Sequence, residues 1–356
     1  MKRREFVGSA IGGAGLLAAT QAVAQTSGPT YNWKMATGWA GGPLMDIGAK
    51  AFAERMEFLS GGRFKIQTFP GGALGNALKV PETVKNGLAE CGHTWMGYDW
   101  GKDPTTVLFG GYAGSFDTER MVHWLYESGG ADLQRQFRED TEGVISMPLF
   151  IRTAEVFLHS RKPVRTLNDL KGLKLRTAGA WLEMAKDLGA APVTTAGGDV
   201  FPMLERGAID ATEWGTLWEN VSPGFYKVAK YLIYPGVHQP TAPFELVINK
   251  NVWGKMPAND KKLVELVAKL VTMESWMRIG SEDAKAFEFY KKQGVRVIEL
   301  ADEVQFAARK IGQTWADKTV KENKFKWFAR VHKSLQDFDA AWAEADEYRK
   351  VKVKKA

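Results

Sequence analysis

Five histidines and one cysteine are the candidate bases and nucleophile of this 356-residue chain. None stands in a pattern that performs catalysis. A serine hydrolase carries its nucleophile on a Gly-x-Ser-x-Gly elbow, a P-loop sets glycines before a Lys-Ser/Thr pair, and a zinc protease places two histidines around a glutamate as His-Glu-x-x-His. No such stretch occurs, and His93, His123, His159, His238 and His332 are scattered. Cys91 and His93 would share one face of a strand, yet a small buried cysteine is the plainer reading. No His/Cys spacing suits zinc. The charged groups offer more. In Leu173-Lys174-Leu175-Arg176 the leucines face one way, so Lys174 and Arg176 face the other. A planar guanidinium can give a carboxylate two parallel hydrogen bonds, which lysine cannot match. The alternative is an ordinary salt-bridge partner at a strand end. Glu213 can cap a helix or pair with Arg176, Glu155 can pair with Arg152 or Arg176, and Gln239, ahead of Pro240, can satisfy backbone groups in a loop.

Strand and helix patterns alternate through the region that must position these groups. Asn32–Thr37 reads as a strand, Leu44–Ser60 as a helix stopped by Gly61-Gly62, and Arg63–Phe69 alternates as a half-buried strand does. A helix over Val80–Gly87 and a buried segment over Glu90–Met96 follow. Val144–Leu158 is strand-like, Thr166–Gly172 is a compact elbow, and it delivers the strand carrying Arg176. Helices are expected over Ala180–Leu188 and Val200–Arg206, with strands at Pro192–Thr194, Ile209–Trp214 and Phe244–Asn249. Beyond Val252 the pattern turns helical, with Asn259–Ile279, Glu282–Lys292, Glu303–Asn323 and Ala329–Arg349 as separate helices and one strand at Val295–Ile298.

The first residues are basic, and Val7–Thr20 is an apolar run of about fourteen, short of the roughly twenty that span a bilayer. With Ala22-Val23-Ala24 after it, residues 1–24 read as a signal peptide. Arg3-Arg4 before Glu5-Phe6 resembles a twin-arginine signal, an ordinary secretory signal being the alternative. No later run is long and apolar enough to be a transmembrane helix, so the exported chain is expected to be soluble and periplasmic. A single cysteine excludes an intrachain disulfide. The net charge of +7 is concentrated near the C-terminus, in Lys318–Lys326 and Lys350–Lys355, without the aromatic platform or recognition helix of a nucleic-acid surface.

Several stretches, in order, resemble the periplasmic binding proteins of TRAP transporters, the DctP-like family. They are Trp33–Thr37, Phe69-Pro70-Gly71-Gly72, Asn168–Arg176 and Leu204–Trp214. Gly101–Pro104, Glu213-Trp214 and Tyr234-Pro235-Gly236 resemble the branch that binds 2-oxo acids with a metal ion. The resemblance implies an α/β fold of two lobes closing on a hinged cleft: lobe I from 30–152 and 240–285, lobe II from 153–239, and C-terminal helices over 286–356. It implies that Arg176 clamps the ligand carboxylate, that Tyr98 meets the ligand from lobe I with Trp100 near it, and that Glu155 and Trp214 also touch it. Trp181 and Trp218 are weaker candidates for the cleft wall. The family's metal positions fall on Glu155, Glu213, the Trp214 carbonyl and Gln239, and their oxygen atoms suit Ca²⁺ or Na⁺. Two positions depart from the branch: Glu155 stands for a glutamine, and Val237-His238-Gln239 stands for two tryptophans and a glutamate. The carboxylate count is unchanged, and the altered wall implies a ligand larger or more polar than pyruvate. The implied function is extracytoplasmic capture of a 2-oxo or 2-hydroxy monocarboxylate for membrane permease subunits. A sensory receptor for the same acids is the alternative, and exchange of the C-terminal helices between subunits implies a homodimer.

Overall fold

The computed structural model describes residues 28–349; the signal peptide expected over 1–24 lies outside them. Eleven strands are described: β1 (Tyr31–Thr37), β2 (Phe64–Phe69), β3 (Cys91–Thr94), β4 (Val144–Arg152), β5 (Leu158–Ser160), β6 (Lys174–Arg176), β7 (Ala191–Val193), β8 (Ala211–Thr212), β9 (Tyr231–Tyr234), β10 (Ala242–Asn249) and β11 (Arg296–Glu299). They build two sheets. The first has the order β2-β1-β3-β10-β4, and the second β11-β9-β5-β8-β6-β7. Within the first, β1 is parallel to β2 and β3, while β10 runs antiparallel to both β3 and β4. Every residue of β4 and β10 is buried, which explains their near-continuous apolar sequence where a half-exposed strand would alternate.

The helices that bear on the site are α1 (Ala51–Leu59), entered through a π-helical turn over Leu44–Lys50, α2 (Val80–Lys85), α3 (Thr105–Gly110), α4 (Thr118–Glu127) and α5 (Gly130–Thr141). The sequence patterns assign nothing to the last three. The second sheet adds α6 (Leu167–Leu170), α7 (Trp181–Asp187) and α8 (Gly197–Glu205), and α9 (Lys250–Gly254) follows β10. At α6 a capping box forms: Thr166 N–H donates to the Asp169 carboxylate at 2.9 Å, which fixes the elbow before β6.

The two helices expected over 259–292 are one, α10 (Ala258–Lys292). Gly280 inside it costs about 1 kcal/mol against alanine, and burial on both sides of the glycine outweighs this. Val264, Val267, Val271 and Ile279 enter the core of the first sheet; Ala286 and Tyr290 pack with Val156, Leu232 and Val295 of the second. α11 (Asp302–Glu322) and α12 (Phe328–Arg349) follow. The strand among these C-terminal helices, β11, pairs parallel with β9 and so extends the second sheet into the segment after 286. α12 lies on α4 of its own chain, where Trp124 Nε1 donates to Ser334 Oγ at 3.0 Å and Arg120 meets Asp339 at 2.9 Å. Among the described residues no helix is long and apolar enough to cross a membrane.

The chain passes between the sheets at 153–157, at 235–241 and along the end of α10. The first two crossings pair with each other: Glu155 and Gly236 form an antiparallel bridge, and Glu155 N–H donates to Gln239 O at 3.1 Å. Asp283 of α10 fastens both sides, accepting from Thr153 Oγ1 (3.1 Å), Thr216 Oγ1 (2.8 Å) and Trp218 N–H (2.8 Å). The change Asp283→Ala removes all three acceptor contacts and is expected to lower unfolding stability by about 2–4 kcal/mol in a urea titration; an unchanged midpoint would show that these bonds do not hold the crossing.

Candidate functional site

The sheets meet at a cavity lined by Trp39, Trp95 and Phe244 from the first side, Arg176 and Trp214 from the second, and Arg152, Glu155, His238 and Gln239 from the crossings or beside them. Tyr98 and Glu213 complete the polar wall. The enclosed free volume is about 20 Å³, roughly one water molecule's worth.

Arg176 is almost wholly buried at the end of β6. Its Nε and Nη2 donate to Thr195 O at 3.3 and 2.8 Å, and its guanidinium lies 5.1 Å from the Trp214 ring. The contacts of Nη1 are long, 3.4 Å to Glu213 O and 3.6 Å to Glu213 Oε1. A guanidinium carries five donors, so Arg176 keeps donors for a further acceptor. Close approach of the sheets here depends on Gly179: its φ of +65° is in the left-handed region, and a Cβ would stand 2.5 Å from the Trp95 indole.

Tyr98 reaches the cavity from the turn after β3. Burial raises its phenol above the usual range, opposed by the charge of Arg176. The turn is anchored through Asp99, whose carboxylate meets Arg138 Nη1 at 2.8 Å, while Arg138 Nη2 meets Glu245 of β10 at 2.5 Å. Trp95 Nε1 donates to Gly110 O at 2.9 Å, tying the same turn to α3.

The acidic wall is a coupled set. Arg152, the last residue of β4, donates from Nη1 to Glu219 at 2.8 Å and from Nη2 both to Glu155 and, at 3.2 Å, to the Trp214 carbonyl. Burial pulls the Glu155 carboxyl upward, but the Arg152 charge and the His238 hydrogen bond more than offset it and hold the group below its usual range. Glu213 goes the other way. Burial and the neighbouring Glu155 charge raise it, against the pull of Arg176. Ala178 N–H donates to Glu213 Oε1 at 2.8 Å. His238 Nε2 lies 3.0 Å from Glu155 Oε2, its ring between Phe157 and Trp181. One ligand atom from each of Glu155, Glu213 and His238 falls within 4.8 Å of the others, a spacing open to a shared ion. Gln239 commits its amide nitrogen to Gly110 O (2.7 Å) and Thr241 O (2.8 Å), which fixes the amide's orientation.

A sequence profile described as "Bacterial extracellular solute-binding protein, family 7" (DctP) matches residues 35–323. The chain belongs to this family. A monocarboxylate 2-oxoacid-binding periplasmic protein of Nostoc sp. is 28% identical over 98% of this chain and 97% of its own length. A TRAP transporter solute-binding protein of Bordetella bronchiseptica, solved as a dimer with copurified calcium and picolinate, superposes with a TM-score of 0.84 at 25% identity, covering 90% of this chain and 96% of that one. Another, of Pseudoalteromonas atlantica, with sodium and pyruvate bound, gives 0.82 at 26% identity over 90% and 98%. Members of the family are binding proteins of the periplasm rather than enzymes.

Six of the residues singled out in the sequence of this family 7 protein, Tyr98, Glu155, Arg176, Glu213, Trp214 and Gln239, line one cavity. Of the pairings open to the two acids, Glu155 pairs with Arg152 rather than Arg176, and Glu213 pairs with Arg176. Other expectations change. Trp100, Trp181 and Trp218 do not line the cavity; Trp181 lies behind His238. Val237 faces a separate depression with Pro235 and Pro240, so only His238 of the altered pair reaches the cavity. The imidazole of His238 forms that wall, a smaller ring than the tryptophan it stands for. Glu219 is the functional neighbour that sequence reasoning missed: it lies 67 residues from Arg152 with no local pattern to link them. The Cys91–His93 pair carries no dyad, because His93 Nδ1 accepts from Trp39 Nε1 at 2.9 Å and burial pushes its pKa down to about 3, while burial holds the Cys91 thiol well above its ordinary value.

Arg152 keeps Glu219 when Glu155 is neutralised, so Glu155→Gln removes one charge-assisted bond and is expected to cost about 1.5–3 kcal/mol at pH 7. Because the folded-state pKa of Glu155 is depressed, its contribution is present above the unfolded value, near 4.5, and is lost as pH falls through the folded one. The stability gap between the parent and Glu155→Gln should therefore narrow below pH 4.5; urea titrations giving the same gap at pH 7 and pH 4 would contradict the ion pair.

Proposed function

We propose that the chain captures a small 2-oxo monocarboxylate, or the related 2-hydroxy acid, in the periplasm and presents it to the permease subunits of a TRAP transporter. One observation carries the reading: a buried guanidinium, Arg176, lines the cavity between the sheets with its Nη1 only loosely held, 3.4 Å from Glu213 O. Carboxylate recognition by arginine is bidentate and charge-assisted. Tyr98, from the opposite sheet, supplies a phenol that can reach the same acid, so the ligand bridges the lobes. The small enclosed volume requires the lobes to part for entry and to reclose.

A cation fits this wall. Glu155 and Glu213 are neighbouring carboxyls; burial raises Glu213 and the Glu155 charge adds to it, a cost that a shared positive charge relieves. Glu155, Glu213 and His238 would hold the ion, with the Trp214 carbonyl and the Gln239 amide beside it. Such an ion supplies positive charge to the acid's carboxylate and keto oxygens. Arg152 holds Glu155 and the Trp214 carbonyl in place, and Ala178 N–H holds Glu213. The relatives bound to calcium with picolinate and to sodium with pyruvate support the same pairing of cation and acid.

A homodimer is proposed with this function. The apolar side of α12 (Phe328, Val331, Leu335 and Trp342) is buried, and exchange between two chains would form the same contacts in trans. Light scattering of the mature protein should give twice the chain mass; a single-chain mass would sink the dimer alone. Removing two charge-assisted bonds of about 1.5 kcal/mol each makes Arg176→Ala expected to bind pyruvate about 100-fold more weakly by calorimetry. Unchanged affinity in that variant would defeat the carboxylate clamp. Chelator treatment of the parent protein should weaken pyruvate binding, and equal affinity with and without chelator would remove the cation from the account.

A further inference from the structure

Three side chains converge on one point of the cavity, and one of them brings a nitrogen. His238 Nε2 stands 3.0 Å from Glu155 Oε2, and both lie within 4.8 Å of a ligand atom of Glu213. All three residues are buried. The far oxygens of the carboxylates are already held, Glu155 Oε1 by Arg152 and Glu213 Oε1 by Ala178 N–H. That is the arrangement of a metal centre in which outer partners orient the ligating carboxylates. The remaining Glu155 oxygen and the imidazole are bonded to each other, a contact that an ion would replace.

The donor set decides which ion belongs there. Ca²⁺ is a hard ion that takes oxygen donors. An imidazole nitrogen beside two carboxylates suits Zn²⁺ and its first-row neighbours.

We propose that His238 is an inner-sphere nitrogen ligand, and that it turns the cation site of this chain from an oxygen-only site for Ca²⁺ or Na⁺ into one that prefers a divalent transition ion such as Zn²⁺. This rests on the cation in the functional reading above and names its class. The imidazole is held for the task by the rings of Phe157 and Trp181, 5.5 and 5.7 Å away.

The test uses the mature protein after chelator treatment and dialysis, titrated in a calorimeter with ZnCl₂ or CaCl₂ and no organic acid. The parent protein should bind one Zn²⁺ per chain at least about tenfold more tightly than Ca²⁺, and His238→Phe should lose at least about tenfold more in Zn²⁺ affinity than in Ca²⁺ affinity. His238→Gln keeps a polar group beside Glu155 and offers an oxygen; it should lose Zn²⁺ affinity to the same degree and gain for Ca²⁺, a reversal that a merely structural histidine would not produce. This second variant carries the test if the phenylalanine variant does not fold. Parent affinity for Ca²⁺ equal to or above that for Zn²⁺, or parent-level Zn²⁺ affinity in a folded variant, overturns the assignment. Because these titrations contain no acid, they decide the proposal separately from the carboxylate reading, which would fail on its own if pyruvate bound with neither ion.

Discussion

The guanidinium of Arg152 holds the architecture together at the place where function requires it to bend. It sits at the last position of a strand in the first sheet, and its three acceptors, Glu155, Glu219 and the Trp214 carbonyl, lie in the crossing or on the second side. Burying a charge of this kind costs several kcal/mol unless it is fully paired. Its pairing is near complete, and the Phe244 ring 4.9 Å away shields one face. Burial pulls the Arg152 pKa down and the charges of Glu155 and Glu219 push it further up, so the group stays ionised. The surroundings must in turn keep the acids beside it, which is why the hinge of this molecule is acidic. The cavity inherits that acidity.

A solute-binding protein must couple occupancy of its cleft to the angle between its lobes, and a ligand can shift that equilibrium only by its differential affinity for the two arrangements. Here the coupling is direct. Glu155, His238 and Gln239 stand on the two crossing segments themselves, which are bonded to one another through Glu155 N–H and Gln239 O. A positive charge shared by Glu155 and Glu213 acts on the strands that bend, while an acid held by Arg176 and Tyr98 acts on the surfaces that meet. Asp283 holds Thr153 of one crossing and Thr216 and Trp218 of the second side to the same helix.

Local pattern made much of the frame legible. β1 and β2 follow from short-range alternation, and the elbow at Thr166 follows from its cap, so Arg176 is placed at a strand end by residues within a dozen positions of it. The resemblance to a family then gave that arginine an acid to hold. What stayed hidden depends on distance. Arg152 ends a strand buried on both faces, where no alternation marks the side that turns toward the site, and its partner Glu219 is far along the chain. α3 to α5 escaped because their packing, against β4 and the C-terminal helices, is tertiary. The break expected near Gly280 was a true local preference, overridden by two cores that need the helix on both sides. His238 was read as the loss of an aromatic wall, and its approach to Glu155 depends on the bridge between segments some eighty residues apart.

Magnitudes explain why one arginine is not enough. Moving a two-state equilibrium from 1:99 to 99:1 takes about 5.5 kcal/mol of differential binding, and two charge-assisted hydrogen bonds of about 1.5 kcal/mol each supply roughly half of that. The rest must come from groups whose environment changes on closure. Tyr98 is one, since its phenol is pressed against Arg176 only when the lobes meet. The Glu155–Glu213 pair is the other. Burial raises the Glu213 carboxyl and the Glu155 charge adds to the shift, and an ion that neutralises the pair removes a cost that otherwise opposes closure. An anion arriving alone would add to that cost, because the three carboxylates of the wall already outnumber its two guanidiniums. The acid and its counter-ion therefore favour closure together, each reducing the penalty that the other would meet by itself.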